Sequence, residues 1–111
     1  HGTFATLLDA VSPMRLAYLH VIRSPRKDLD AFALAREHFR GQLIVNDGFD
    51  GGSAERVLGA GEAAAVSFGR SYIGNPDLVR RLRDGLPLAG FDVAKLYTPG
   101  PEGYSDYPCA S

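Results

Sequence analysis

The chain has 111 residues, 45% of them hydrophobic and 23% charged, and its formal net charge is −1. These proportions are those of one small globular domain with its own core, and they argue against disorder over the whole length. A nearly neutral chain gives no electrostatic reason to expect nucleic acid or an anionic membrane as a partner. The single cysteine, Cys109, excludes an intrachain disulfide and a cysteine-rich metal site. No membrane span or signal peptide is visible, so a cytoplasmic protein is expected, and the abrupt start at His1 suggests a piece of something larger.

Three short apolar runs predict buried strands. They occupy residues 16–21, 43–46 and 64–68. Each run is mainly apolar and is too short for a helix, which is the pattern of a buried strand. The tail that follows residue 86 is rich in proline, glycine and tyrosine, and it predicts ordered but irregular structure.

Helical patterns separate and follow these runs. A helix is predicted over residues 29–39, with Asp28 as its N-cap and an imperfect apolar stripe that leaves Leu34 outside. After the second strand, Ser53 is expected to cap another helix. Asn75, followed by proline, is expected to cap a third.

The order of these elements predicts the fold class. Strands that alternate with helices at this spacing favour parallel βαβ units with right-handed crossovers. Three parallel strands cannot close a barrel, and an open three-stranded sheet would leave both edges and much apolar surface bare. The sequence therefore predicts an α/β protein that consists of the C-terminal three β/α units of a (β/α)8 TIM barrel plus an irregular C-terminal tail. Residues 1–111 would form one partial barrel with strands 6 to 8 and their helices.

Two glycine-bearing loops follow the second and third predicted strands. The first contains Asp47, Gly48 and Phe49, and the second contains Gly69 and Arg70. Glycines let backbone amides approach an anion, and an arginine adds charge-assisted donors. In (β/α)8 barrels the loops after strands seven and eight commonly hold a phosphate, which is the interpretation favoured here. The alternative is that the glycines only make turns and Arg70 is a solvated surface residue. Asp47 suits a phosphate poorly, because its carboxylate repels the anion unless it points away.

Other candidate residues carry less chemistry. The histidines His1, His20 and His38 have no metal-ligand spacing. His20 lies in a strand and is expected to be satisfied inside the protein, the alternative being that the C-terminal end of its strand faces a site. Asp47 and Asp50 lie among glycines as in a calcium loop, but the alternating acidic positions and the closing glutamate are missing. Three arginines of the last predicted helix are balanced by acidic neighbours and predict a solvated face: Arg80, Arg81 and Arg83.

Three segments together resemble the Old Yellow Enzyme family. They read LIVNDGFD at 43–50, AAAVSFGRSYIGNPDLVRRLRDG at 63–85 and LYTPGPEGYSDYP at 96–108. The family consists of FMN-dependent, NAD(P)H-using ene reductases, among them N-ethylmaleimide reductase and the oxophytodienoate reductases. The pattern FGRxxIxNPDL followed at this distance by EGYxDYP is highly specific, and the resemblance extends over nearly the whole chain.

The resemblance implies a (β/α)8 barrel with FMN at the C-terminal ends of the strands. It also implies an oxidoreductase that uses NAD(P)H to reduce activated alkenes such as enones, maleimides and nitro compounds. Tyr97 would line the flavin and substrate pocket, whereas spacing alone favours a role in pinning the tail, as for Tyr104 and Tyr107. By position the resemblance assigns cofactor binding to five residues: Asp47, Gly48, Phe49, Gly69 and Arg70.

The chain also departs from the family pattern. The usual Asn-Gly-Gly-Tyr reads Asn-Asp-Gly-Phe at 46–49. The aspartate makes close approach of a phosphate less favourable, and the phenylalanine lacks the hydroxyl of tyrosine. The family's substrate-anchoring pair, proton-donating tyrosine and flavin-pyrimidine contacts belong to the first five strands, so no catalytic residue is assigned here.

Three hypotheses follow from the resemblance and the departures. The chain is part of an ene reductase, inactive alone, whose partners are FMN, a small alkene and the polypeptide that carries strands 1 to 5. Alternatively, it is a non-catalytic partial barrel that binds phosphate or FMN weakly or self-associates through its open edges. A different phosphate-binding barrel is the third hypothesis, against which the EGYSDYP tail argues.

Overall fold

Three short parallel strands lie side by side in the order β1-β2-β3. They appear in a computed structural model that describes residues 2–111, so His1 and the expectations placed on it lie outside the described residues. Strand β2 has its predicted bounds, and pairing with β2 makes the other two strands begin later than predicted. The strands are β1 (Leu19–Ile22), β2 (Leu43–Asn46) and β3 (Ala65–Ser67).

The sheet belongs to the first of two compact units, which ends at Ser67. Its helices are α1 (Gly2–Val11), α2 (Ala31–His38) and α3 (Gly51–Gly59). The sequence prediction lacks α1, since no capping residue announces its start. Its helical character lies instead in the spacing of Phe4, Leu8 and Val11, which all belong to or pack against the core.

The start of α2 differs from the prediction. Asp30, not Asp28, is the N-cap, and its Oδ1 accepts a hydrogen bond from the Ala33 N–H at 3.0 Å. Asp28 instead forms an exposed ion pair with Arg26, whose Nη2 lies 2.7 Å from its Oδ2. Leu34, predicted to point outward, is buried, because α2 packs against α1 as well as against the sheet.

One face of the sheet is buried and the other is not. Val21, Leu43 and Val45 point into the core, where they meet the buried side chains of α1 and α2. Side chains alternate along a strand, so His20 and Ile22 point to the opposite face, where Ile22 is 65% exposed. The helices of this unit therefore cover only one face of the sheet and leave apolar surface on the other, as expected of an open three-stranded sheet.

The second unit runs from Phe68 to Ser111 and contains two short helices. These are α4 (Arg70–Gly74), which the sequence prediction lacks, and α5 (Leu78–Asp84), which ends as predicted at Gly85 in the left-handed conformation. Beyond α5, the described residues form one 3₁₀ turn at Val93–Lys95 and otherwise irregular structure. The longest helix of residues 2–111 has ten residues, and none could span a bilayer.

Asn75 is the buried polar centre of the second unit and not the N-cap of α5. Asp77 holds that capping position, and Asn75 follows α4, with a side chain that is 0% exposed. Its Nδ2 donates to the carbonyl oxygens of Ser71 at 2.7 Å and Ala89 at 2.9 Å, and its Oδ1 accepts from the Ala89 N–H at 2.8 Å. A Cβ on the neighbouring Gly74 would collide with a backbone carbonyl of the same 89–90 segment. The amide thus ties α4 to the chain that follows α5.

Arg81 also departs from the prediction, because it is buried and does not lie on a solvated face. Its Nε donates to Asp77 Oδ1 at 2.8 Å, and its two Nη groups donate to the carbonyls of Pro87 and Pro108. Asp77 Oδ2 in turn accepts the Ala110 N–H at 2.9 Å. This one ion pair therefore attaches the C-terminal tail to α5.

Asp77 makes the stability of this unit depend on pH. The Ala110 N–H and, next, the Arg81 guanidinium hold the pKa of Asp77 below its usual value. A lowered folded-state pKa gives stability that is fully present above the unfolded pKa, about 4, and is lost as the pH falls through the folded pKa. We expect Asp77→Asn to destabilise the unit at pH 7, and the difference from the parent to shrink below about pH 4.

Urea midpoints between pH 2 and 7 measure this effect. Glu55→Gln, which removes an exposed carboxylate from α3, controls for the loss of a charge. A difference between Asp77→Asn and the parent that stays constant down to pH 2 would contradict the assignment.

Candidate functional site

A row of hydrogen-bonded polar side chains crosses the sheet on its uncovered face. Asn46 Nδ2, at the end of β2, donates to Ser67 Oγ at 2.7 Å and to the Ser67 carbonyl at 2.8 Å. The same Oγ lies 2.8 Å from His20 Nε2. His20 is therefore satisfied, as predicted, but it is exposed and not interior. These hydrogen bonds fix the end of β2 relative to the end of β3. The first candidate loop begins directly after β2.

The loop after β2 turns through two residues with positive φ, Asp47 at 83° and Gly48 at 75°. Gly48 suits this backbone because it lacks a Cβ, whereas a non-glycine residue such as Asp47 is strained there. Both residues are exposed, and among the described residues no acceptor takes the N–H of Gly48 or of Phe49. Two unpaired amides at the carboxyl end of a parallel strand can bind an anion.

The Phe49 side chain points away from those amides. Its ring is half-buried against the core and stacks on Phe32, with 5.8 Å between ring centroids and an interplanar angle of 22°. Of the three predicted loop residues, Phe49 can therefore offer a ligand its backbone and not its ring.

Arg23 is a component of this loop that the sequence analysis missed. Its Nε donates to the Asp47 carbonyl oxygen at 3.1 Å. Its guanidinium carbon lies 4.8 Å from the ring centroid of Phe32 and 5.1 Å from that of Phe49, within cation–π range of both. The available signal was an arginine two residues after the end of the first predicted strand, on the same sheet edge as the glycine loop.

The first turn of α3 is already occupied by a carboxylate. Asp50, not Ser53, is the N-cap: its Oδ1 accepts the Ser53 N–H at 2.7 Å, while Ser53 Oγ accepts the Asp50 N–H at 3.0 Å. The Ser53 backbone amide is the main reason why the pKa of Asp50 is lowered. Asp50 therefore already binds to this helix end itself, next to the unpaired amides of Gly48 and Phe49.

The second candidate loop lies at the start of the second unit. Gly69 precedes α4, and its carbonyl accepts the Tyr72 N–H. A Cβ on Gly69 would meet only open space, so packing does not require a glycine there. Arg70 is exposed, and its guanidinium has no hydrogen-bond or ion-pair partner among residues 2–111. A guanidinium without a partner in the described chain, next to a glycine with free space beside it, can contact an anionic ligand.

The three tail tyrosines differ in their surroundings. Tyr97, predicted to line a pocket, is 94% exposed. Tyr107 Oη accepts the Asp92 N–H at 2.9 Å, in keeping with a structural role, whereas the Tyr104 side chain is exposed. Within the described part of the chain no three histidine, cysteine or acidic side chains lie close enough to hold a metal.

The fold and these loops define a segment of a (β/α)8 barrel. The structure superposes on the old yellow enzyme from Trypanosoma cruzi with a TM-score of 0.93 and 33% identity, and the superposition includes 99% of this chain. It superposes on morphinone reductase in complex with tetrahydroNAD with a TM-score of 0.85 and 33% identity, again over 99% of this chain. In both cases the chain spans 30% of the solved protein.

Curated proteins give the same result. The chain is 40% identical over 97 residues to a probable flavin mononucleotide-dependent alkene reductase of Leishmania infantum, covering 84% of this chain and 26% of that protein. It is 34% identical over 104 residues to a 12-oxophytodienoate reductase-like protein of Solanum lycopersicum, covering 92% and 29%. No protein-family model matches it. The chain belongs to the old yellow enzyme family, as a segment under a third of the length of these relatives.

Proposed function

We propose that this chain is part of an FMN-dependent NAD(P)H oxidoreductase that reduces activated alkenes, namely enones, maleimides and nitro compounds. Its own contribution would be to bind the FMN phosphate. The observation that supports this best is the pair of unpaired amides at Gly48 and Phe49, on a loop that follows a parallel strand. An FMN phosphate fits such a loop because backbone N–H groups at strand ends bind anions.

Each candidate residue has a defined part in this proposal. Asp47 would contribute backbone only, since its carboxylate repels a phosphate. Gly48 and Phe49 would donate their amides, Gly69 would leave space for the ligand, and Arg70 would donate charged hydrogen bonds. Tyr97 is proposed to line the substrate pocket. When bound, FMN would supply hydride transfer between NAD(P)H and the alkene, while this chain's residues bind and orient it.

The uncovered face of the sheet supports a role inside a larger barrel. Residues 1–111 would supply strands 6 to 8, and the polypeptide with strands 1 to 5 would cover the face on which Ile22 is exposed. The same exposed face favours the second candidate, a non-catalytic fragment that self-associates or binds FMN weakly.

Activity measurements separate these candidates. The 111-residue chain with added FMN is expected to show no NADPH-dependent reduction of an enone. A complete barrel, in which this chain replaces the matching 30% of the Trypanosoma cruzi enzyme, is expected to be yellow and active. Turnover by the isolated chain would contradict the first expectation. A complete barrel that folds but retains no FMN would contradict the proposed function.

A further inference from the structure

We propose that Arg23 is a positioning residue for FMN, which sets the direction of the loop amides that bind its phosphate. The inference rests on the proposed function and adds to it a residue that lies at the C-terminal end of β1. Arg23 directly follows β1, and its backbone N–H donates to the Asn46 carbonyl at 3.1 Å. Its side chain reaches the loop after β2, where it hydrogen-bonds the Asp47 carbonyl.

The hydrogen bond from Arg23 Nε to the Asp47 carbonyl fixes a peptide plane. In a trans peptide the carbonyl and the following N–H point in opposite directions, and residues 2–111 contain no cis peptide. With the Asp47 oxygen held toward Arg23 at 3.1 Å, the Gly48 N–H must point away from the guanidinium, to the side without a protein acceptor.

The two phenylalanine rings hold the guanidinium in place. Arg23 lies within 4.8 and 5.1 Å of the ring centroids of Phe32 and Phe49, and these rings stack on each other. A planar guanidinium packs on such rings, whereas an ammonium lacks both the plane and the Nε donor. A Cβ on Gly48 would lie 3.4 Å from Arg23 Nε, so the loop and the arginine are in close contact.

This contact offsets the strain at Asp47. A non-glycine residue at positive φ is strained and persists only where its surroundings hold it. Arg23 is the described side chain that hydrogen-bonds this residue's carbonyl, so it stabilises the conformation that presents the Gly48 amide. Without the Arg23 side chain, the Gly48 amide would lose its fixed direction.

The test compares FMN with riboflavin, which lacks the phosphate, in the complete barrel. We expect Arg23→Met to raise the FMN dissociation constant about tenfold and to leave that of riboflavin unchanged, because only the phosphate uses the loop amides. Arg23→Lys is expected to resemble Arg23→Met, since a charge without the Nε donor does not orient the peptide.

Three outcomes would overturn the proposal or its basis, and they can be told apart. Equal weakening of FMN and riboflavin by Arg23→Met would show a general structural role. Full recovery of FMN affinity by Arg23→Lys would show that only charge matters. A parent barrel that binds FMN no more tightly than riboflavin would overturn the proposed function itself, independently of Arg23.

Discussion

Replacing Arg70 by alanine in the complete barrel is expected to raise the FMN dissociation constant by roughly 5- to 150-fold, a loss of ~1–3 kcal/mol. The reason is that a charged hydrogen bond to the phosphate disappears. Because Arg70 has no partner among residues 2–111, its removal breaks no intramolecular contact of the described chain. The loss should therefore appear in FMN binding and not in the free energy of unfolding.

Arg15→Ala is the matched control for this measurement. Arg15 is also exposed and also lacks a hydrogen-bond or ion-pair partner in the described chain, but it belongs to neither candidate loop. Flavin fluorescence titrations would give the dissociation constant for both variants. An FMN affinity that Arg70→Ala leaves unchanged would remove Arg70 from the site, and an equal loss in Arg15→Ala would reduce its role to net charge.

Replacing Asn75 by alanine is expected to destabilise the second unit by ~2–4 kcal/mol. The substitution removes three hydrogen bonds and leaves backbone groups of Ser71 and Ala89 without their partner. A net hydrogen bond contributes about 1 kcal/mol, and an unsatisfied partner adds a desolvation cost. The buried site would also lose the volume of the amide.

Tyrosine fluorescence during urea unfolding of the 111-residue chain measures this loss. The chain has five tyrosines and no tryptophan, and only Tyr18 lies in the first unit, so the signal reports mainly on the second. Arg83→Ala, at a largely exposed position of α5, serves as the control and should change stability by less than about 0.5 kcal/mol. A similar shift of the midpoint in both variants would show that the Asn75 contacts add little.

The residues around Asn75 show why sequence patterns place a helix start only approximately. Asn followed by proline is a typical N-terminal signal, and a helix does begin nearby at Leu78. Asp77 takes the capping position, because Asn75 is buried against a segment 14 residues further on. The caps of α2 and α3 also differ from the predicted ones and are Asp30 and Asp50. In all three cases several neighbouring residues could cap, and the structure has the cap at a different one from the predicted residue.

The loop after β2 separates local from distant information in the same way. Its position after a parallel strand follows from a short apolar run and a glycine, which are local features. The contact that holds it comes from Arg23, 24 residues earlier, and depends on the register that aligns β1 with β2. No pattern near Asp47 indicates that contact.

From its sequence alone, this protein's membership in the old yellow enzyme family, its parallel β/α order and its two glycine loops could be predicted, because each depends on residues close together in the chain. The tertiary structure decided that Arg81 is buried, that Phe49 faces the core and that Arg23 holds the Asp47 carbonyl. Those features depend on which distant side chains meet when the sheet and helices pack, and the free energy of that packing outweighs local preference.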